Sequence, residues 1–117
     1  MDVSFKGIGE KPVTFASNGA KKGEVVKVSA AGTVAPCADG EPFDGVAVLT
    51  SDGFAGVLLR GFADVSYSED GKAPAVGHNK LVADGKGGVR VDESSDKAKD
   101  YLTVAVDDTN RAATILM

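Results

Sequence analysis

Cysteine and histidine, which often act as nucleophiles, bases or metal ligands, are rare in this chain of 117 residues and lie far apart in the sequence. Cys37 is the sole cysteine and His78 is the sole histidine. A reactive cysteine needs a setting that lowers its thiol pKa, and a metal site needs several ligands at suitable spacing. Neither residue has such partners nearby in the sequence. We therefore interpret Cys37 as an incidental thiol and His78 as a turn residue.

Aspartate–glycine pairs recur along the chain and raise a second chemical possibility, calcium binding. Calcium loops place acidic ligands at alternate positions and close with a glutamate. None of these pairs has that arrangement, whereas glycine readily adopts the positive φ of tight turns. We therefore interpret the pairs as turns, at positions 39–40, 44–45, 52–53, 70–71 and 84–85.

The remaining candidate groups for catalysis form no recognisable constellation. Ser51, Ser66 and Ser68 lack the flanking glycines of a nucleophile elbow. The glycine-rich stretch 85–88 precedes a strand-like segment, whereas a phosphate-binding loop opens a helix. We predict that the protein is not an enzyme, with no catalytic, cofactor or metal site.

The charge balance is mildly acidic, with 13 Lys and Arg against 17 Asp and Glu. The two signs are interspersed, whereas a nucleic-acid surface needs clustered basic side chains. No apolar run approaches the roughly 20 residues of a membrane-spanning helix. Residues 1–6 lack the features of a secretory signal. We therefore expect synthesis in the cytoplasm, with neither a nucleic-acid nor a membrane partner.

Strand-like segments dominate the sequence, and the clearest is residues 43–62. Two apolar runs flank a polar break that contains Asp52-Gly53, a pair that suits a hairpin turn. The 15 glycines have no collagen period, which indicates many tight turns between short strands. We predict an all-β fold, a small antiparallel β-barrel or sandwich of about eight short strands.

The alternation of apolar and polar residues continues beyond this hairpin turn. One apolar row comprises the odd positions Val57, Leu59, Ala63, Val65 and Tyr67. This pattern predicts one long strand with a bulge or bend at Gly61. The opposite, mixed face carries Leu58, Arg60 and Phe62, which we predict as an oligomer contact.

Residues 1–20 are predicted to form an extended N-terminal arm, and residues 21–117 a single domain. Two short alternating stretches in this arm are separated by glycines and a proline. Such an arm packs on its own chain or on a neighbour, and the alternative is a first strand of the sheet. The candidate partner contacts are Val3, Phe5, Val13 and Phe15.

The sequence also contains a weak internal repeat, with candidate halves at residues 21–68 and 75–117. The segments 45–48, 51–53 and 57–59 match 103–106, 109–111 and 115–117 at an offset of 58. Further matches pair Gly23 with Gly77, Val28 with Val82, and Val34 with Val89. A duplicated unit of two hairpins would bury one shared core, and chance similarity among valine-rich strands is the alternative.

Several of these motifs resemble one protein family over residues 20–117. The matching segments are Lys22-Gly23-Glu24-Val25-Val26, Phe43-Asp44-Gly45-Val46-Ala47, Gly56-Val57-Leu58-Leu59-Arg60-Gly61, Val76-Gly77, residues 82–88, 102–106 and 113–117. In their order they resemble the small β-rich capsid decoration or head-stabilising proteins of tailed bacteriophages. Prophage-type families of unknown function are among these proteins.

The resemblance implies a non-enzymatic structural protein of the virion. Such a protein binds the major capsid protein on the outside of the shell, often as a homotrimer, and needs no cofactor. The N-terminal arm would dock on a capsid subunit or on a neighbouring protomer. The competing class is a small β-barrel binding module for a ligand or glycan, which would need exposed aromatic side chains on one face.

Overall fold

The computed structural model describes residues 12–68 and 73–117, and this part of the chain contains ten strands and no helix. The strands are β1 (Pro12–Ser17), β2 (Val25–Ala30), β3 (Thr33–Pro36), β4 (Gly45–Ser51), β5 (Phe54–Leu58), β6 (Phe62–Ser66), β7 (Gly77–Ala83), β8 (Val89–Val91), β9 (Lys99–Asp107) and β10 (Ala112–Leu116). The all-β prediction is confirmed, with ten strands in place of the roughly eight expected.

Strands β1 to β5, here called the first unit, form a closed barrel in the order β1-β3-β2-β4-β5. An antiparallel pairing of β1 with β5 and a short parallel pairing of β1 with β3 close it. Its interior contains Val26, Val34, Ala47, Ala55 and Val57, with Phe15, Ala20 and Leu59 packed against them. These side chains belong to alternate positions of each strand, as barrel geometry requires.

Strands β6 to β10, the second unit, form a five-stranded sheet in the order β6-β10-β9-β7-β8. In each unit the first strand pairs with the fifth, the fifth with the fourth, the fourth with the second, and the second with the third. A parallel bridge between Tyr67 and Val89 joins the first and third strands, as the β1–β3 pairing does in the first unit. The chain therefore contains a duplicated five-strand unit.

Individual residues show the same duplication. Ser17 N–H donates to the Gly53 carbonyl at 2.9 Å, and the equivalent Tyr67 N–H donates to the Arg111 carbonyl at 3.0 Å. Gly53 and Arg111 both have positive φ, +75° and +51°, and Arg111 is the sole non-glycine residue with positive φ in the described ranges. The predicted match of Gly53 with Arg111 is therefore confirmed. The strand register equates Val46 with Leu102 and Ser51 with Asp107, so the predicted offset of 58 is wrong for residues 45–48 and for Ser51. Each unit, however, begins with β1 or β6, earlier than the predicted halves at 21 and 75.

The long strand predicted over residues 57–67 is wrong. The chain leaves the first unit at Leu58 and enters the second unit at Phe62, so that β5 and β6 belong to different sheets. Gly61, at φ +112°, allows this change of direction. Its backbone exchanges hydrogen bonds of 3.4 and 2.9 Å with Met117, which anchors the connection to the end of β10.

Part of the predicted N-terminal arm is the first strand of the barrel. Pro12 to Ser17 form β1, which pairs with β5 from Pro12–Leu58 to Ala16–Phe54. The alternative of a first strand therefore describes residues 12–17. Residues 1–11, with Val3 and Phe5, lie outside the described residues.

The two units share one core. Val25, Val46 and Leu58 on the outer side of the first barrel belong to the same buried cluster as the inner side chains of the second unit. At its centre the rings of Phe43 and Tyr101 stack with centroids 4.9 Å apart and an interplanar angle of 10°. The loop between β3 and β4 also crosses to β7, where Ala83 N–H donates to the Glu41 carbonyl at 2.9 Å.

Candidate interaction surface

The structure separates the residues predicted as arm contacts. Val13 is 44 % exposed on β1 and is accessible to a partner. Phe15 is half-buried and packs against the interior of the first barrel, so most of its surface serves the fold. The other two candidates, Val3 and Phe5, are outside the described residues.

The oligomer face predicted at Leu58, Arg60 and Phe62 is not a single surface. Leu58 is only 1 % exposed because the second unit covers it, so this residue is wrong as an intermolecular contact. Arg60 is exposed in the connection between the units, and Phe62 is half-buried on β6. The three residues do not lie on one strand, so the alternation of side chains along a strand does not place them on one face.

A line of register partners crosses the outer side of each unit. In the first unit it consists of Val25, Val46 and Leu58, which we call the first row. These neighbours lie on one face because directly opposite residues of paired strands point to the same side. All three are buried against the second unit.

The second unit contains the structural counterpart of the first row. His78 is opposite Leu102 and Leu102 is opposite Leu116, on strands that correspond to β2, β4 and β5. This second row differs in exposure: Leu116 is 37 % exposed, Leu102 is half-buried and His78 is exposed. His78 Nδ1 lies 3.4 Å from the Asp100 carboxylate, which gives one end of the row a polar edge.

A second apolar surface lies at the β4–β5 hairpin. Leu49 and Phe54, 63 % and 56 % exposed, project near the two-residue turn. Gly56 is opposite Leu49, and a Cβ built on it would lie 3.4 Å from the Leu49 Cβ and 3.9 Å from the Pro12 Cβ. We call Leu49, Phe54, Gly56 and Pro12 the hairpin patch. Large apolar side chains grouped on a surface commonly mark interaction sites.

Ion pairs secure the loop that joins β3 to β4. Lys27 Nζ donates to both carboxylate oxygens of Glu41 at 2.9 and 2.8 Å, which lowers the pKa of Glu41 and raises that of Lys27. Arg90 on β8 donates to Asp39 at 2.8 Å and to Asp92 at 3.1 Å. These ion pairs connect the β3–β4 loop to β2 and to β8.

The buried titratable groups are arranged for packing. Burial raises the pKa of the Cys37 thiol to about 11, the opposite of what a nucleophilic thiolate requires. Burial likewise raises the pKa of Tyr101 to about 12, and its hydroxyl donates to the Phe43 carbonyl at 3.4 Å.

No group of three or more His, Cys, Asp or Glu side chains able to hold a metal ion occurs within residues 12–68 and 73–117. An open cleft of about 350 Å³ lies at one end of the first barrel, lined by Ser17, Gly19, Ala20, Thr50, Ser51, Asp52 and Gly53. These are small or polar side chains and backbone, without an aromatic wall. Over the same ranges, no helix is long and apolar enough to cross a membrane.

The second row was missed by the sequence prediction, although a signal for it existed. The repeat pairs Leu58 with Leu116 at an offset of 58, so the two leucines were identifiable as equivalent. The sequence does not show which of the two leucines is covered by the other unit. No known family model matches the chain, and no curated protein is significantly similar to it.

Proposed function

We propose that this protein is a non-enzymatic structural protein of a bacteriophage or prophage that binds the exterior of the capsid and stabilises the head. The family resemblance of residues 20–117 supports this proposal. A two-unit β fold whose buried titratable groups, Cys37 and Tyr101, are part of the packed core is consistent with a structural role. Its location would then be the virion surface.

The hairpin patch is the observation that carries the proposal. Leu49 and Phe54 expose apolar surface at the hairpin end of a closed barrel, and burial of these side chains against a partner would favour binding. The patch includes Pro12, so residues 1–11 continue the chain from its edge. A capsid subunit would contact the patch and this preceding segment together.

The alternative of a ligand- or glycan-binding barrel has less support. A glycan site typically offers exposed aromatic faces, but Phe43, Tyr67 and Tyr101 are buried in the shared core. The interior of the first barrel is occupied by its own side chains. The open cleft at the barrel end is lined without an aromatic residue.

Capsid binding is tested with heads assembled from the major capsid protein of the phage or prophage that encodes this chain. The wild-type protein should co-sediment with the heads and raise the temperature at which they disrupt. The double substitution Leu49→Asp with Phe54→Asp should weaken binding by at least about tenfold, because burial of each side chain is worth roughly 1.5–3 kcal/mol.

Val76→Asp is the matched control, since Val76 is also an exposed apolar residue but lies before β7, outside the hairpin patch. This variant should bind as the wild type does. Failure of the wild-type protein to bind the heads, or to stabilise them, would overturn the proposed function.

Deletion of residues 1–11 tests the contribution of the N-terminal segment. The deletion stops before β1, because removal of Pro12–Ser17 would open the barrel. The truncated protein should keep the circular dichroism spectrum of the full chain and bind heads more weakly. Unchanged binding would remove Val3 and Phe5 from the contact.

A further inference from the structure

We propose that Asn18 is a site of spontaneous deamidation, at which the backbone nitrogen of Gly19 attacks the Asn18 side chain, and that Pro36 keeps this site reactive. Asparagine is converted to aspartate or isoaspartate, and water is the only other reactant. The inference rests on how β1 closes the first barrel, and it does not depend on capsid binding.

The sequence distinguishes Asn18 from the other asparagines. The chain contains three, Asn18, Asn79 and Asn110, and only Asn18 precedes a glycine, whereas the others precede a lysine and an arginine. A side chain on the following residue hinders attack by the nitrogen of that residue. Gly19 has none, and a Cβ built on it would have no atom within 4 Å, so the space around it is open.

The side chains of the three asparagines also differ in their surroundings. The Asn79 amide is buried and donates to the carbonyl of Ala75 at 2.7 Å and to Thr103 Oγ at 3.0 Å. The Asn110 amide donates to the Asp107 carboxylate at 2.8 Å. The Asn18 side chain is exposed and makes no hydrogen bond to the described part of the chain, so it can turn towards the next backbone nitrogen.

The peptide group between Asn18 and Gly19 must rotate to bring that nitrogen to the side-chain carbon. Asn18 N–H belongs to the preceding peptide group, and it donates to the Val34 carbonyl at 2.9 Å. Among residues 12–68 and 73–117, neither the Asn18 carbonyl nor the Gly19 N–H has a hydrogen-bond partner. The reacting peptide group is therefore not held by the sheet.

Pro36 explains why the sheet does not hold this peptide group. The parallel register of β1 with β3 pairs Ser17 with Val34, and Asn18 N–H bonds to Val34 as that register requires. The next bond of the ladder would run from the N–H of residue 36 to the Asn18 carbonyl. Proline has no N–H, so the ladder ends one bond earlier and leaves the peptide group of Gly19 outside it.

The reaction balances with water alone. The deprotonated Gly19 nitrogen attacks Asn18 Cγ, the new N–Cγ bond closes a succinimide ring, and the Cγ–Nδ2 bond breaks to release ammonia. Water then opens the ring. Cleavage of the N–Cγ bond gives aspartate, and cleavage between this nitrogen and the backbone carbonyl carbon gives isoaspartate. Both products add one negative charge, and isoaspartate also adds one carbon atom to the main chain.

The modified segment leads from β1 into the barrel interior. Ala20 N–H donates to Ser17 Oγ at 3.1 Å, across Asn18 and Gly19, and Ala20 packs against the interior side chains of the first barrel. An added main-chain atom in this short turn changes the spacing between Ser17 and Ala20. Deamidation at Asn18 therefore alters the fold at the strand that closes the barrel.

The experiment incubates the purified full chain at mildly alkaline pH and follows each asparagine by peptide mass spectrometry, as its side-chain NH₂ is replaced by OH. Asn18 should convert first, with isoaspartate and aspartate as products, while Asn79 and Asn110 in the same molecules are internal controls. A synthetic peptide of residues 14–22 gives the rate without a barrel. The folded chain should react within about tenfold of the peptide rate.

Three variants separate the parts of the proposal. Asn18→Ser should abolish the acidic species seen by ion exchange. Pro36→Ala, at an exposed position, supplies the missing N–H and should slow conversion by about two- to tenfold, the effect of one net hydrogen bond. Pro42→Ala is its matched control, since this proline lies outside the β1–β3 ladder, and it should react as the wild type does. Circular dichroism checks that each protein stays folded.

Equal conversion at Asn79 or Asn110 would overturn the assignment of the site. So would a folded chain that reacts more than about tenfold more slowly than the peptide. A folded Pro36→Ala variant that reacts at the wild-type rate would overturn the part assigned to Pro36. Capsid binding is measured separately, through Leu49 and Phe54, so either proposal can fail without the other.

Discussion

At the scale of single residues, Glu41 takes part both in an ion pair and in the contact between the two units. Its side chain accepts hydrogen bonds from Lys27 Nζ at 2.8 and 2.9 Å and from Ala38 N–H at 2.6 Å. Its backbone carbonyl accepts from Ala83 of the second unit. The Lys27 and Ala38 hydrogen bonds favour the carboxylate over the acid and lower the pKa of Glu41 below its ordinary 4.5.

Stability should therefore depend on the ionisation of Glu41. Because the folded-state pKa is lowered, its stabilisation is present above pH 4.5 and disappears as the pH falls through the folded-state value. Glu41→Gln should lower the thermal midpoint at neutral pH, and the difference from wild type should shrink below pH 4.5. Thermal melts of both proteins from pH 7 to about 3 measure this effect. A difference that stays constant over that range would contradict it.

At the scale of elements, Asn79 fixes the segment that precedes β7. Its amide nitrogen donates to the Ala75 carbonyl at 2.7 Å, to Gly77 at 3.2 Å and to Thr103 Oγ at 3.0 Å. Its oxygen accepts from Ala75 N–H at 3.2 Å. The amide is buried, so it connects residues 75–77, β7 and β9 where water does not substitute for it.

Asn79→Ala should destabilise the protein by about 1–3 kcal/mol, because Thr103 would lose a partner in a buried position. Urea denaturation measures the change. Asn110→Ala is the matched control: its amide also donates a hydrogen bond, to Asp107 at 2.8 Å, but is exposed. Its cost should stay within about 0.5 kcal/mol. Equal costs at the two positions would show that the burial of Asn79 contributes nothing.

Elements were predicted well where local chemistry determines them. The hairpin turn at Asp52-Gly53 lies between β4 and β5 as expected, and the repeat correctly paired Gly53 with Arg111. The strand predicted over 57–67 failed because apolar alternation continues through both β5 and β6. Alternation identifies the buried face of a strand, but it does not identify the sheet to which the strand belongs.

The same limit explains the error at the candidate site. Alternation places Val57 inside the barrel, which is correct, and Leu58 outside, where we predicted a partner contact. Both are buried because the outer side of β5 is covered by the second unit. The arrangement of the two units depends on contacts between distant segments, which the sequence pattern of one strand does not encode.

At the scale of the whole molecule, the two units should fold together. The interior of the first barrel has only five fully buried residues, and three of them are valines. The larger cluster combines residues from both units, with the stacked pair of Phe43 and Tyr101 between them. Separation of the units would expose this cluster, so neither unit has enough core to be stable alone.

Phe43→Ala should therefore destabilise the entire chain, by about 3–5 kcal/mol, and not the first unit alone. Tyr67 and Tyr101 both lie in the second unit and the chain lacks tryptophan, so tyrosine fluorescence reports the second unit while circular dichroism reports both. Urea unfolding followed by the two signals should give one coincident transition, in the wild type and in the variant. Phe54→Ala, at an exposed phenylalanine, should cost less than about 0.5 kcal/mol. In a shared core, the unfolding of one unit removes the surface that covers the other, so the two units should unfold together. Two separated transitions would show instead that the units unfold independently.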